Sequence, residues 1–201
     1  MKRFRLGAMN ILVGALAASL GLPKAGAVSV KDSPGYYSVP DPESMSVVLG
    51  RRVNAPVVHT PFHGGARSME ELGKDVCWAL HHSSSDSLLK LCVTDAEFKD
   101  ILWREFPQSR PATGLQWDDA YKFLFARQHA GCSHAIRDYG GHYYQFLRFE
   151  PAESLGVYKN FKLHSKLILV AKDDTGQIQE MRWLRAVAER KGRFKIYSTE
   201  D

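Results

Sequence analysis

Residues 117–149 read WDDAYKFLFARQHAGCSHAIRDYGGHYYQFLRF, and a change of period inside this stretch decides the fold class. Before the glycine pair, Trp117, Ala120, Tyr121, Leu124, Phe125 and Gln128 recur at offsets of three, four, seven, eight and eleven, one stripe of a long helix. Gly140-Gly141 is turn material, and from His142 onward the period is that of strands. Asp118 and Asp119 at the start of the helix are partners for its dipole before they are candidate bases.

Downstream, His142–Phe149 is a first strand and Val157–Lys172 a long second one, with Phe161, Leu163, Leu167 and Leu169 on one parity. Asp173-Asp174-Thr175-Gly176 turns into a third strand, Gln177–Arg190, and Lys191-Gly192 into a last one, Arg193–Ser198. Upstream, Ser68 with Glu71 has capping-box spacing ahead of Met69, Leu72, Val76, Ala79 and Leu80, predicting a helix over Met69–His81. A short helix follows over Asp86–Leu91, and Thr94 with Glu97 opens a third that Pro107 closes. Helices first and antiparallel strands afterwards mean an α+β domain over residues 68–201, with a sheet of about four main strands.

Residues 28–67 carry Pro34, Pro40, Pro42, Pro56 and Pro61 and keep no period, so they read as an arm or solvated linker, with Met45–Leu49 and Ala55–Val58 as possible edge strands. Residues 1–27 read as a signal peptide: Lys2, Arg3 and Arg5, an apolar run Leu6–Leu22, then Ala25-Gly26-Ala27 as a small-x-small cleavage site. The expected protein is exported, periplasmic or secreted, with no membrane span after processing. Those 27 residues hold four cations and no acid, so removing them takes the formal net charge from +5 to +1. The basic balance therefore belongs to the leader, and nucleic acid is not expected as a partner.

The element order resembles the nuclear transport factor 2-like, or cystatin-like, cone, in which a curved antiparallel sheet wraps a long helix. Thr94-Asp95-Ala96-Glu97-Phe98 with Leu102-Trp103, and Gly192-Arg193-Phe194-Lys195-Ile196-Tyr197-Ser198, are similar to exported bacterial members of uncharacterised function. The resemblance implies a cone with a pocket at its wide end. The superfamily spans isomerases, cyclases, dehydratases and proteins without chemistry, so fold does not choose among them; no catalytic residue is carried over.

Motifs for nucleotides and for a serine nucleophile are absent, and no cofactor is expected. The histidine pairs His59 with His63, His81 with His82, and His129 with His134 lack metal-ligand spacing on one ordered face, so no metal site is expected. Strand parity places Met181, Trp183, Arg185 and Val187 on one face of the third strand. An inward Arg185 needs a carboxylate, a carbonyl cluster or an anionic ligand, because guanidinium keeps its charge. Glu189 is an available partner; alternatively Arg185 with Trp183, Tyr144 and Tyr121 lines a pocket for a small amphipathic or anionic molecule. The sequence thus points to a ligand-binding or assembly module of the cell envelope. The alternative is a pocket enzyme using an inward acid or His with a Tyr.

Two further expectations concern covalent and subunit structure. Cys77 and Cys92 stand at similar distances from one bend and could form a disulfide, or all three cysteines, Cys132 included, could remain free. Ile168 and Val170, beside Lys162, His164 and Lys166, lie on the outer parity of the second strand and make a candidate homodimer face.

Overall fold

The computed structural model describes residues 43–150 and 154–200; the proposed signal peptide lies outside them. Helix α1 is Met45–Leu49, a short helix where the sequence reads as linker with an edge strand as the alternative, closed by Gly50 in the left-handed region. Helix α2, Met69–His81, starts at Ser68, whose Oγ accepts from Glu71 N at 3.0 Å, and buries Leu72, Val76, Ala79 and Leu80. Helix α3 is Ser85–Lys90. Helix α4, Asp95–Glu97, has the expected capping box and continues through a π turn, Phe98–Leu102, and a 3₁₀ turn, Trp103–Glu105. Helix α5 runs Trp117–Tyr139 and buries Leu124, Gln128, Gly131, Cys132 and Ala135, whereas Phe125 of the expected stripe is exposed.

The strands form two antiparallel sheets, and the chain is α+β. Strands β1 (Tyr144–Glu150), β4 (Ile168–Asp173) and β5 (Ile178–Met181) make one, in the order β1-β4-β5. Strands β2 (Ser154–Val157), β3 (Lys162–Ser165), β6 (Leu184–Arg190) and β7 (Arg193–Thr199) make the other, in the order β2-β3-β6-β7. The expected four strands are seven because the two long ones break and β2 forms ahead of the first of them. One breaks at Lys166, a non-glycine residue at φ 57°, and the other across Arg182-Trp183. The Lys166 N–H donates to Arg185 O at 2.8 Å, so the hairpin stays paired as it passes from one sheet to the other.

Close approaches fix the layers. A Cβ on Gly73 would stand 2.2 Å from the Phe146 ring, so α2 lies directly on β1. A Cβ on Gly131 would stand 2.2 Å from Thr199 Oγ1, and Gln128 Nε2 donates to Tyr197 O at 2.9 Å, so α5 lies directly on β7. The segment Leu91–Val93 runs beside β7 through Val93 N to Ile196 O and Ile196 N to Leu91 O, both 2.9 Å.

Residues 43–67, read from composition as a linker, pack onto this body. Ala55, Phe62 and Ala66 are buried, and Ala66 pairs with Phe194 across an isolated bridge. Ala55–Val58 forms no strand; its backbone groups pair with side chains instead. Val58 N donates to Asn160 Oδ1, Asn160 Nδ2 to Pro56 O, and Lys159 Nζ to Ala55 O, at 2.6–2.8 Å. Arg190, 3% exposed, donates to the carbonyls of Thr60, Val58 and Asn160. Inside, Lys195 Nζ grips both oxygens of Glu97 at 3.0 and 2.8 Å, with both side chains almost wholly buried. The same carboxylate accepts from His63 N, Thr94 N and Thr94 Oγ1.

The expected dimer face is not an open apolar strip: Val170 is 1% exposed, Ile168 is half-buried, and Lys162 and His164 both bind Glu189 across β6. Breaking the strand at Lys166 resets its parity, so the residues beyond it do not continue the outer face of β3.

Removing one member of the buried pair strands the other's charge. Lys195→Met should therefore lower the unfolding free energy in urea by about 3–5 kcal/mol. Lys195→Met combined with Glu97→Gln should recover most of that loss, since Gln keeps the capping geometry. A single variant within about 1 kcal/mol of the parent would show that the pair contributes no more than a surface one.

Candidate functional site

An open groove of about 980 Å³ lies between the N-terminal half of α5 and the β3-β6-β7 sheet. Its apolar lining comes from Phe123, Leu124, Leu163 and Tyr197 among others, and its basic groups are Arg127, Lys166 and Arg185. The described residues lining it include no carboxylate.

Three local irregularities aim side chains here. Leu184 pairs with Thr199 and Ala186 with Ser198, so Arg185 is one extra residue on β6. Ala186 pairs with Ser198 and Val187 with Ile196, so Tyr197 is one extra residue on β7. Bulges of this kind turn a side chain out of the pleat. The third irregularity is the left-handed Lys166, whose N–H reaches Arg185 O. Backbone strain of this sort costs on the order of 1–3 kcal/mol per residue and concentrates at ligand-holding sites. The Tyr197 phenol, pushed up to about 12 by burial, stays protonated at physiological pH. Arg185 and Lys166 also border a second depression, of about 430 Å³, that holds Glu150 and Glu200. The cations therefore stand on a ridge between a basic apolar groove and a mixed-charge one.

The structure separates the four residues expected to share a pocket. Arg185 lines the groove but is exposed, because alternation is already interrupted at the Arg182-Trp183 break, where Trp183 and Leu184 are buried in succession. Trp183 is 7% exposed in the main core, with its indole N–H unpartnered among the described residues. Tyr144 is buried in the same core near Cys77, and Tyr121 packs on Phe98 at 5.6 Å in a second cluster. Glu189, the expected partner of Arg185, is taken by Lys162 at 3.1 Å and His164 at 2.9 Å. The inward guanidinium of β6 is Arg190, and it has the carbonyl cluster that the argument demanded for Arg185. Sequence parity missed Tyr197 and Lys166 because a bulge and a left-handed residue leave no periodic signal.

The bridge considered for Cys77 and Cys92 is not formed: Cys77, Cys92 and Cys132 are free and buried. Cys92 meets Cys132 instead, and this contact with burial pushes its thiol upward. Burial alone pushes Cys77 up to about 12. Thiolates are the reactive form. Native protein at pH 8 should therefore take up essentially no iodoacetamide, and protein denatured without reductant should take up three equivalents, read by intact mass. Two fewer after denaturation would mean a disulfide.

Among the described residues no helix is long and apolar enough to cross a membrane, and no three His, Cys, Asp or Glu side chains converge as metal ligands. Against known protein families, characterised proteins and solved structures, the chain finds no match.

Proposed function

We propose that this is an exported, non-catalytic binding module that takes a small amphipathic anion in the groove between α5 and the β3-β6-β7 sheet. The observation that carries the reading is the convergence of Lys166, Arg185 and Tyr197, each at a backbone irregularity, on one apolar groove with a basic rim. The ligand's apolar part would lie along Phe123, Leu124 and Leu163, and its anionic end would meet the guanidinium, the ammonium and the neutral phenol. An isomerase- or dehydratase-type site would need an acid or His beside the tyrosine. The described lining of the groove offers Tyr197 without either, which favours binding over catalysis.

In this reading the fold is a cystatin-like cone of the nuclear transport factor 2-like type. What supports it is the helices-then-strands order, a hairpin that crosses from one sheet to the other at Lys166 and Arg182-Trp183, and a long helix seated on β7 with a groove beside it. Export rests on the leader pattern of residues 1–27.

Titration with decanoate and 2-naphthoate, followed by thermal shift and calorimetry, tests the groove. Arg185→Met should weaken binding about tenfold or more, the worth of a charge-assisted hydrogen bond, and leave the melting temperature of the free protein unchanged because Arg185 is exposed. Absence of binding by the parent protein, or equal binding by the variant, would remove this reading. The export half is separate: intact mass of protein recovered outside the cytoplasm should begin at Val28, and a retained residue 1–27 segment would overturn it.

A further inference from the structure

A second surface, sharing no lining residue with the groove, is built from rings. Trp78 and Tyr143 are more than half exposed, 55% and 57%, although α2 already satisfies the core through Leu72, Val76, Ala79 and Leu80. Leaving two large aromatic rings in water has no packing benefit, yet both are held in place. His82 stacks on Trp78 at 4.2 Å and 26°, with its Nδ1 against Trp78 O at 2.9 Å. His81 stands edge-on to His82 at 4.9 Å and edge-on to Tyr143 at 5.7 Å. Trp78, His82, His81 and Tyr143 therefore form one ordered array, and ordering before binding lowers the entropy cost of any ligand that uses it.

Between α2 and β1 this array borders a depression of about 340 Å³, at the lower end of the sizes that hold small molecules. Beside the His81 imidazole and the tyrosine phenols its polar groups are Gln145 and Lys74, and Lys74 is already engaged by Glu70 at 2.6 Å. The site thus presents aromatic faces, an amide, a phenol and the His81 imidazole, with its one lysine compensated. An anion finds no surplus positive charge there, and a quaternary ammonium finds no carboxylate among the described lining residues. What matches is a neutral molecule with a C–H face for the electron-rich rings and hydroxyls for the amide, phenol and imidazole.

We infer that the Trp78–Tyr143 depression binds a neutral sugar ring, as part of an oligosaccharide, at a site independent of the basic groove. The two sites share no lining residue, so either can fail without the other.

Calorimetry on the full chain against maltohexaose, cellohexaose, chitohexaose and laminarihexaose tests the inference, with choline chloride as the competing chemistry. At least one oligosaccharide should bind saturably, with Kd on the order of 10 μM to 1 mM. Trp78→Ala and Tyr143→Ala should each weaken it about tenfold or more, while Arg185→Met binds as the parent does. Both aromatic positions are exposed, so circular dichroism and melting temperature should stay at the parent values and separate a binding loss from misfolding. No binding of any oligosaccharide up to about 10 mM, binding of choline alone, or sugar binding undiminished in Trp78→Ala with Tyr143→Ala would overturn it.

Discussion

The carboxylate of Glu97 ties together parts of the chain that are distant in sequence. It caps α4 through Thr94, receives the backbone of the arm at His63, and neutralises Lys195 on β7, the ion pair itself lying out of contact with water. Burying two charges costs several kcal/mol per ion unless geometry and further hydrogen bonds repay it. Here the two-oxygen contact of Lys195 and three additional donors to Glu97 supply them. A displaced arm or a slipped β7 would leave one charge uncompensated, so the pair specifies register as well as packing. That register matters for the groove, because a one-residue slip of β7 would move Tyr197 to the other face.

Within that fixed frame the irregularities at Lys166, Arg185 and Tyr197 are tolerated. A regular ladder through these positions would give straight strands and would alternate Arg185 with its neighbours in the ordinary way. The bulges put Arg185 and Tyr197 beside the groove while Leu184, Val187 and Ile196 stay fully buried. The helix contributes by contrast in contact distance: Gly131 brings α5 against Thr199, while Phe123 stands exposed at the groove toward the other end of the helix.

Much of the secondary structure was legible in the sequence, because it rests on local chemistry. The α2 boundaries, the capping box of Thr94 and Glu97, and the end of α5 before Gly140 follow from periodicity and caps. The breaks in the long strands were not legible, since Lys166 is an ordinary polar residue that adopts a left-handed conformation only in its tertiary setting. The dependence of parity on unbroken strands then carried the error into the site: Arg185 was expected beside Trp183, and the strand break at Arg182-Trp183 with the bulge at Arg185 leaves one buried and the other exposed. The physical rule applied to Arg185 was sound, and it described Arg190, five residues along the same strand.

Why the arm should be the partner of Arg190 follows from its composition. Pro56 and Pro61 lack the N–H that a ladder needs, so each interrupts any ladder along this stretch, and none forms over residues 55–61. Its carbonyls are then left without intrachain ladder partners, and a buried carbonyl without a donor is costly. A guanidinium with five donors and no acceptor is the complementary group: Arg190 serves Val58 and Thr60 with Nη2 and Nε, and Lys191 serves His59 between them. The features that made residues 55–61 look like a solvated linker, namely proline and no period, are the ones that leave them acceptors for a buried cation. Composition alone cannot distinguish the two outcomes, because what decides is whether an unpaired arginine waits on the adjacent strand.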